Sequence, residues 1–128
     1  MKTLSKILAV DDEQDILTVI RYAFDSNKNI TLKTGSSGEE ALRIAPDFQP
    51  DVVLLDLKMP FMDGLEVFRA LKANPKTKST SIIFLTAVIE KAKFQQYMEM
   101  GVAEIILKPF DPWSLLSRVE EIWNRHYH

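Results

Sequence analysis

The chain contains no cysteine. Disulfides and thiolate metal sites are therefore excluded, and a reducing compartment is permitted without being required. A strong excess of either charge is also missing. Sixteen Lys and Arg against eighteen Asp and Glu leave a formal net charge of -2, unlike the basic footprint of direct nucleic-acid binding. No apolar run approaches the roughly 20 residues of a membrane span. The opening MKTLSKILAV is followed at once by acids, so it makes a poor secretory signal. Neither an internal repeat nor a low-complexity segment is present. Together these absences point to a soluble, cytoplasmic protein that contacts neither membrane nor nucleic acid directly.

What is present is 128 residues, 46% hydrophobic and 27% charged, a common size for one domain with enough apolar material for one core. Apolar runs alternate with helix-periodic stretches. KILAV (6–10) reads as a strand, and Ile16, Ile20, Ala23 and Phe24 then share a helical face. NITLKT (29–34) alternates like a strand nearer a sheet edge. Ser37 and Glu40 have capping-box spacing at a helix start. DVVLLD (51–56) is a fully apolar strand closed by an acid. Asp63 and Gly64 suit a turn and helix cap, and Leu65, Phe68 and Leu71 give that helix its apolar face.

SIIFLTA (81–87) is a further buried strand. Phe94, Tyr97 and Met98 are expected on one side of the next helix, with Gly101 just past its end. EIILK (104–108) is the fifth strand. Asp111 and Pro112 suit N-cap and N1 of a last helix striped by Leu115, Leu116, Val119, Ile122 and Trp123. The polar ANPKTKSTS (73–81) reads as a surface loop, because cutting there would remove two strands. The pattern is βα repeated five times, an α/β chain with a parallel sheet covered on both faces. It is expected to be a single domain over 1–128, with no attached output domain.

The stretch VVLLDLKMP (52–60) raises the chemical question, because a carboxylate at the tip of a buried strand is costly unless compensated. In open parallel α/β sheets, ligands collect at the carboxyl ends of the strands. Asp11 and Asp12 follow the first strand, Asp56 ends the third, Thr86 ends the fourth and Lys108 ends the fifth. Three carboxylates on one edge repel and raise each other's pKa. Lys108 and a hard divalent cation, best Mg2+, would relieve that repulsion. A carboxylate beside Mg2+ and an ammonium can attack phosphorus and become an aspartyl phosphate. The transferring group needs a metal, a cation and hydrogen-bond donors around its oxygens. Thr86 and backbone N–H groups after Asp56 and Thr86 can provide the donors.

At these residues the sequence resembles the receiver domain of two-component response regulators, of the stand-alone kind related to the chemotaxis regulator. The motifs ILAVDDE, DVVLLDLKMPFMDG, IIFLTA and ILKPF stand in that family's order over essentially the whole chain. The resemblance implies a flavodoxin-like, doubly wound (βα)5 fold with strand order 2-1-3-4-5. It implies that Asp56 accepts a phosphoryl group from a histidine kinase or phosphotransfer protein. Asp12 and Asp56 would bind Mg2+ directly, Asp11 through water, and the Lys58 carbonyl would complete the protein ligands. Thr86 and Lys108 would hold the phosphoryl group, and the Lys108–Pro109 peptide would be cis. Output would pass to a separate effector through the face of residues 90–126, with the protein a monomer or a phosphorylation-dependent dimer.

Two positions depart from the family's pattern. Ile105 stands where an aromatic usually swings inward as Thr86 moves, leaving only the aliphatic version of that switch. Lys58, two residues after Asp56, can lie over the phosphoryl oxygens. Val88 offers no group to orient water, so slow self-hydrolysis is expected.

Plainer roles compete with these assignments. Asp11 and Asp12 alone would cap the first helix, and Thr86 or Lys108 alone would be unremarkable. Met59, Met62 and Met98 read as packing. Trp113 and Trp123 are expected to bury against the sheet, and the RHYH tail to fray. Neither histidine sits in a phosphodonor helix. Three other classes remain in competition: a phosphorylation-independent interaction module, an aspartyl-nucleophile phosphatase and a flavodoxin. The phosphatase is disfavoured because Lys58 stands where its acid belongs. The flavodoxin is disfavoured because the acidic edge repels an anionic flavin.

Overall fold

The computed structural model describes residues 3–87 and 89–127; Val88 and His128, which figure in the sequence reading, lie outside them. Five strands alternate with five helices: β1 (Lys6–Val10), α1 (Gln14–Asp25), β2 (Thr31–Gly35), α2 (Gly38–Phe48), β3 (Val52–Asp56), α3 (Gly64–Ala73), β4 (Ser81–Thr86), α4 (Lys91–Met100), β5 (Glu104–Leu107) and α5 (Pro112–Tyr127). All strand pairs are parallel, in the order β2-β1-β3-β4-β5. This is the flavodoxin-like order implied by the resemblance. The chain runs outward from β1 to β2, then returns past β1 to β3, so the order reverses between β1 and β3. That reversal opens a crevice at their carboxyl ends.

Alternate side chains of each strand enter opposite cores. Leu8, Val10, Val53, Leu55, Ile82 and Phe84 pack beneath α2 and α3. Ile7, Ala9, Val52, Leu54, Ile83 and Leu85 pack beneath α1 and α5. Covering both faces explains why the interiors of β3 (Val52–Leu55) and β4 (Ile82–Leu85) are continuously apolar, since every residue in the two strands is buried. Each buried Leu, Ile or Phe contributes about 2 kcal/mol. β2, at the edge, is only partly buried and carries the expected alternation.

Several expectations need correction. Trp123 is buried, but Trp113 is 89% exposed. Asp111 Oδ1 accepts the Trp113 N–H at 3.1 Å, fixing the helix start there. At 100° per residue Trp113 then falls opposite the buried stripe of Leu115, Val119 and Ile122. On α4 only Tyr97 is buried, and Phe94 is exposed, because that helix lies at the β5 end where no further strand extends the sheet. Ser37 Oγ caps α2 by accepting the Glu40 N–H at 3.1 Å. The Glu40 carboxylate, however, accepts from Ser36 N and Oγ instead of closing the box on Ser37. The tail does not fray at His126, whose Nδ1 lies 2.9 Å from Ser81 Oγ.

Candidate functional site

β1 and β3 are hydrogen-bonded neighbours with Val10 opposite Leu55, so Asp11 and Asp56 emerge side by side at the crevice. Asp11 is wholly buried and Asp56 nearly so, while Asp12 is exposed. One carboxylate oxygen from each of the three lies within 4.8 Å of the others. Lys108 reaches back from the end of β5 over this cluster. Its Nζ is 2.8 Å from Asp11 Oδ2, 3.5 Å from Asp56 Oδ1 and 3.7 Å from Glu13 Oε1. The shortest contact is therefore with Asp11 and not with Asp56. Asp11 Oδ1 accepts the Glu13 N–H at 2.9 Å, so both Asp11 oxygens are engaged.

Electrostatics follow from this packing. Burial and then the Asp11 charge push the Asp56 carboxyl from its ordinary 3.8 up to about 7. A hydrogen bond with Asp12 adds to the rise, and Lys108 and the Lys58 N–H oppose it. Burial alone would lower Lys108, but its bond to Asp11 and the charges of Asp11, Asp56 and Glu13 outweigh that and raise it. Glu13 was missed by the sequence reading. The signal was the third acid in DDE, two positions after Asp11 at the entry to α1.

Thr86 is the buried last residue of β4, one beyond Leu85, which pairs with Asp56. Its carbonyl accepts the Lys108 N–H at 2.8 Å, and the Lys108–Pro109 peptide is cis. The Lys58 N–H points to Asp56 Oδ1 at 3.4 Å, while the Lys58 side chain is exposed. Ile105 is buried in the core under α2, α3 and α4 with Phe84 and Tyr97, away from the acidic cluster.

The segment after Asp56 is pinned at its ends. Gly64 N–H donates to Leu57 O at 2.9 Å, and Asp63 and Glu66 close a capping box on α3. A Cβ on Gly64 would stand 2.5 Å from Asp56 O and 2.8 Å from Leu57 Cα, so only glycine lets the loop return this close to the end of β3. Between these anchors Phe61 adopts φ 69, a left-handed backbone that costs a bulky residue of order 1–3 kcal/mol. A separate cavity of 580 Å³ opens at the amino edge of the sheet between Ser5, Asp51, Ser81 and His126, remote from this cluster.

A doubly wound sheet with an Asp-lined pocket at its switch point, crossed by a lysine from the last strand, defines a receiver module, a signalling unit and not an enzyme in its own right. The profile of the response regulator receiver domain matches residues 7–120, and the chain belongs to that family. Asp11, Asp12 and Asp56 form the acidic pocket typical of its phosphoacceptor site.

The chain is 37% identical over 121 residues to the transcriptional regulatory protein ResD of Bacillus subtilis, covering 94% of this chain and 49% of ResD. It is 36% identical over 120 residues to the alkaline phosphatase synthesis transcriptional regulatory protein PhoP of the same organism. It spans about half the length of these curated relatives, 49% in both. Among solved structures, the Vibrio cholerae chemotaxis protein CheY4 superposes with a TM-score of 0.85 at 30% identity, over 94% of this chain and 99% of that one. The BeF3-activated receiver domain of DrrB, from Thermotoga maritima, gives 0.80 at 30% identity over 96% and 100%. The family implies a kinase partner, and the acidic triad is consistent with the divalent-metal site of receivers. No helix among the described residues is long and apolar enough to cross a membrane.

Proposed function

We propose that the protein is a phosphorylation-driven signalling switch in which Asp56 accepts a phosphoryl group from a histidine kinase or phosphotransfer protein. The observation carrying this reading is the convergence of Asp11, Asp12 and Asp56 with Lys108 bridging Asp11 and Asp56. The donor set is hard oxygen, which suits Mg2+. Asp12, Asp56 and the Lys58 carbonyl would hold it directly. Asp11, both of whose oxygens are engaged, fits a role through water. The ion, when bound, neutralises the carboxylates and the charge of the transferring group.

The protein's own residues then divide the work. An Asp56 oxygen forms the P–O bond as the donor's P–N bond breaks, the electron pair staying on an imidazole that takes up a proton. Lys108 and the Thr86 hydroxyl contact the phosphoryl oxygens. Carrying the reading to output, Thr86 is drawn toward the new charge, and β4 moves with it. Phe84, two residues earlier, packs edge-on to Tyr97 at 5.5 Å, the only buried residue of α4. α4 is thus tied to β4 by one aromatic contact, and Ile105 repacks beneath it. The signal reaches an effector on the α4–β5–α5 face, where Phe94, Leu107 and Trp113 are exposed. DrrB's receiver, described as activated by BeF3, supports a switch of this kind. The setting is cytoplasmic, where receiver domains generally act.

The test is acetyl phosphate with Mg2+. The parent chain gains a hydroxylamine-sensitive adduct and Asp56→Asn does not; an equal adduct on both variants sinks the assignment. Lys58→Ala loses phosphate faster than the parent if Lys58 shields the acyl phosphate. A second reading, a phosphorylation-independent interaction module, draws on Ile105 in place of an aromatic. It predicts effector affinity indifferent to the BeF3-bound state.

A further inference from the structure

Phe61 is the most exposed large apolar side chain among the described residues, at 106% of its reference area. Its backbone is left-handed at φ 69. Neither feature helps the isolated chain. The exposed ring leaves apolar surface in water, and the left-handed backbone carries strain that glycine or asparagine would avoid. The loop is nonetheless held by hydrogen bonds along its second half and at its base. Met62 N–H donates to Pro60 O at 2.8 Å, Gly64 N–H to Leu57 O at 2.9 Å, and the Asp63–Glu66 capping box closes its far end. Phe61 is therefore a preorganised aromatic on a fixed apex, the form an interface anchor takes.

The position of the loop selects the occupant. Its base is Asp56, whose carboxylate is almost fully buried. A side chain delivering a phosphoryl group to Asp56 must pass between the loop ends that ring the crevice. The protein surface carrying that side chain then rests beside loop 57–64, which leaves Asp56 and returns against its carbonyl at Gly64. Lys58, exposed on the same loop, offers a cation to a phosphorylated surface. Among the described residues a second copy of this chain brings no such donor there, because His126 is bonded to Ser81 at the opposite edge of the sheet. We propose that Phe61 is the docking anchor for the phosphodonor protein, its ring seating in an apolar depression beside the phosphorylated imidazole. This rests on the reading of Asp56 given above.

The experiment compares two donors on the full chain. Acetyl phosphate has no protein surface. The protein donor is an autophosphorylated histidine kinase, chosen from a panel as the one transferring fastest to the parent. Phe61→Asn removes the ring and accommodates the left-handed backbone; Phe61→Tyr keeps the ring. Labelling by acetyl phosphate stays within about 2-fold in both variants, whereas kcat/KM for the kinase falls at least about 10-fold in Phe61→Asn, mainly through KM, and stays within about 3-fold in Phe61→Tyr. Kinase transfer to Phe61→Asn at the parental rate overturns the proposal. An equal loss with acetyl phosphate also overturns it, by placing the effect in the site itself. So does a loss of self-association on sedimentation with kinase transfer intact, which would make a second copy the occupant. If neither donor labels Asp56 of the parent, the phosphoacceptor reading itself fails and takes the docking inference with it.

Discussion

Lys108 Nζ sits 2.8 Å from Asp11 Oδ2 and 3.5 Å from Asp56 Oδ1, so one ammonium just past β5 serves a carboxylate just past β1 and another at the end of β3. Asp11 is wholly buried. Removing its partner leaves an uncompensated interior charge, the costly way to break an ion pair. Lys108→Ala is expected to lose about 3 kcal/mol of stability in metal-free urea unfolding. Adding Asp11→Asn to it recovers most of that loss, because the orphaned charge is gone. A neutral single variant would remove the electrostatic account of the pair.

Asp56 makes its own contribution to how metal-free stability depends on pH. Its folded pKa, about 7, lies above its ordinary 3.8. The folded state therefore holds a proton that the unfolded state releases over that interval. Stability from this group is fully present below the lower value and is lost as pH rises toward the upper one. In a chelator, the parent should be more stable at about pH 5 than at about pH 8, relative to Asp56→Asn. The Asn variant gains most at the higher pH. Mg2+ should stabilise the parent at high pH and do little for the variant. Parallel pH profiles for the two proteins would contradict the buried-carboxylate argument.

Gly64 is required by a close approach and not by its backbone angle. Alanine there would press a methyl against Asp56 O and Leu57 Cα, both main-chain atoms that cannot rotate away. Gly64→Ala should cost about 2 kcal/mol by overpacking. It should also weaken Mg2+ binding, because the displaced segment includes Asp56 and Lys58. Unchanged metal affinity would show that the loop yields without moving the site.

Tyr97 is the one buried anchor of α4, edge-on to Phe84. Tyr97→Ala should cost about 3 kcal/mol and speed amide exchange across 91–100, leaving β1 and β3 protected. If exchange accelerates equally everywhere, α4 is not an independently mobile element, and the route from Thr86 through Phe84 to α4 loses its support.

Much of the fold is legible in the residues because local patterns carry it. Continuous apolar runs at 52–55 and 82–85 require two covered faces, and the alternation of β2 marks an edge. The capping residues Ser37, Asp63 and Asp111 place three helix starts. Strand order is not contained in any such pattern. It depends on which strands pair across the sheet, and the sequence supported 2-1-3-4-5 only through the family resemblance. The exposure of Trp113 was misjudged for a related reason. Composition favours burying tryptophan, but the cap at Asp111 sets the phase of α5 and turns that ring outward.

The sequence by itself determined that acids, a hydroxyl and an ammonium would leave the strands on one edge, because strand ends are set by where apolar runs stop. Tertiary structure decided how they partner. Lys108 bonds first to Asp11, Glu13 joins as a further acid, and Asp56 keeps a raised pKa, because these depend on side-chain reach and burial across strands that are distant in the chain. Spacing along the chain fixes which groups arrive at the edge; only packing in three dimensions fixes the ångströms between them.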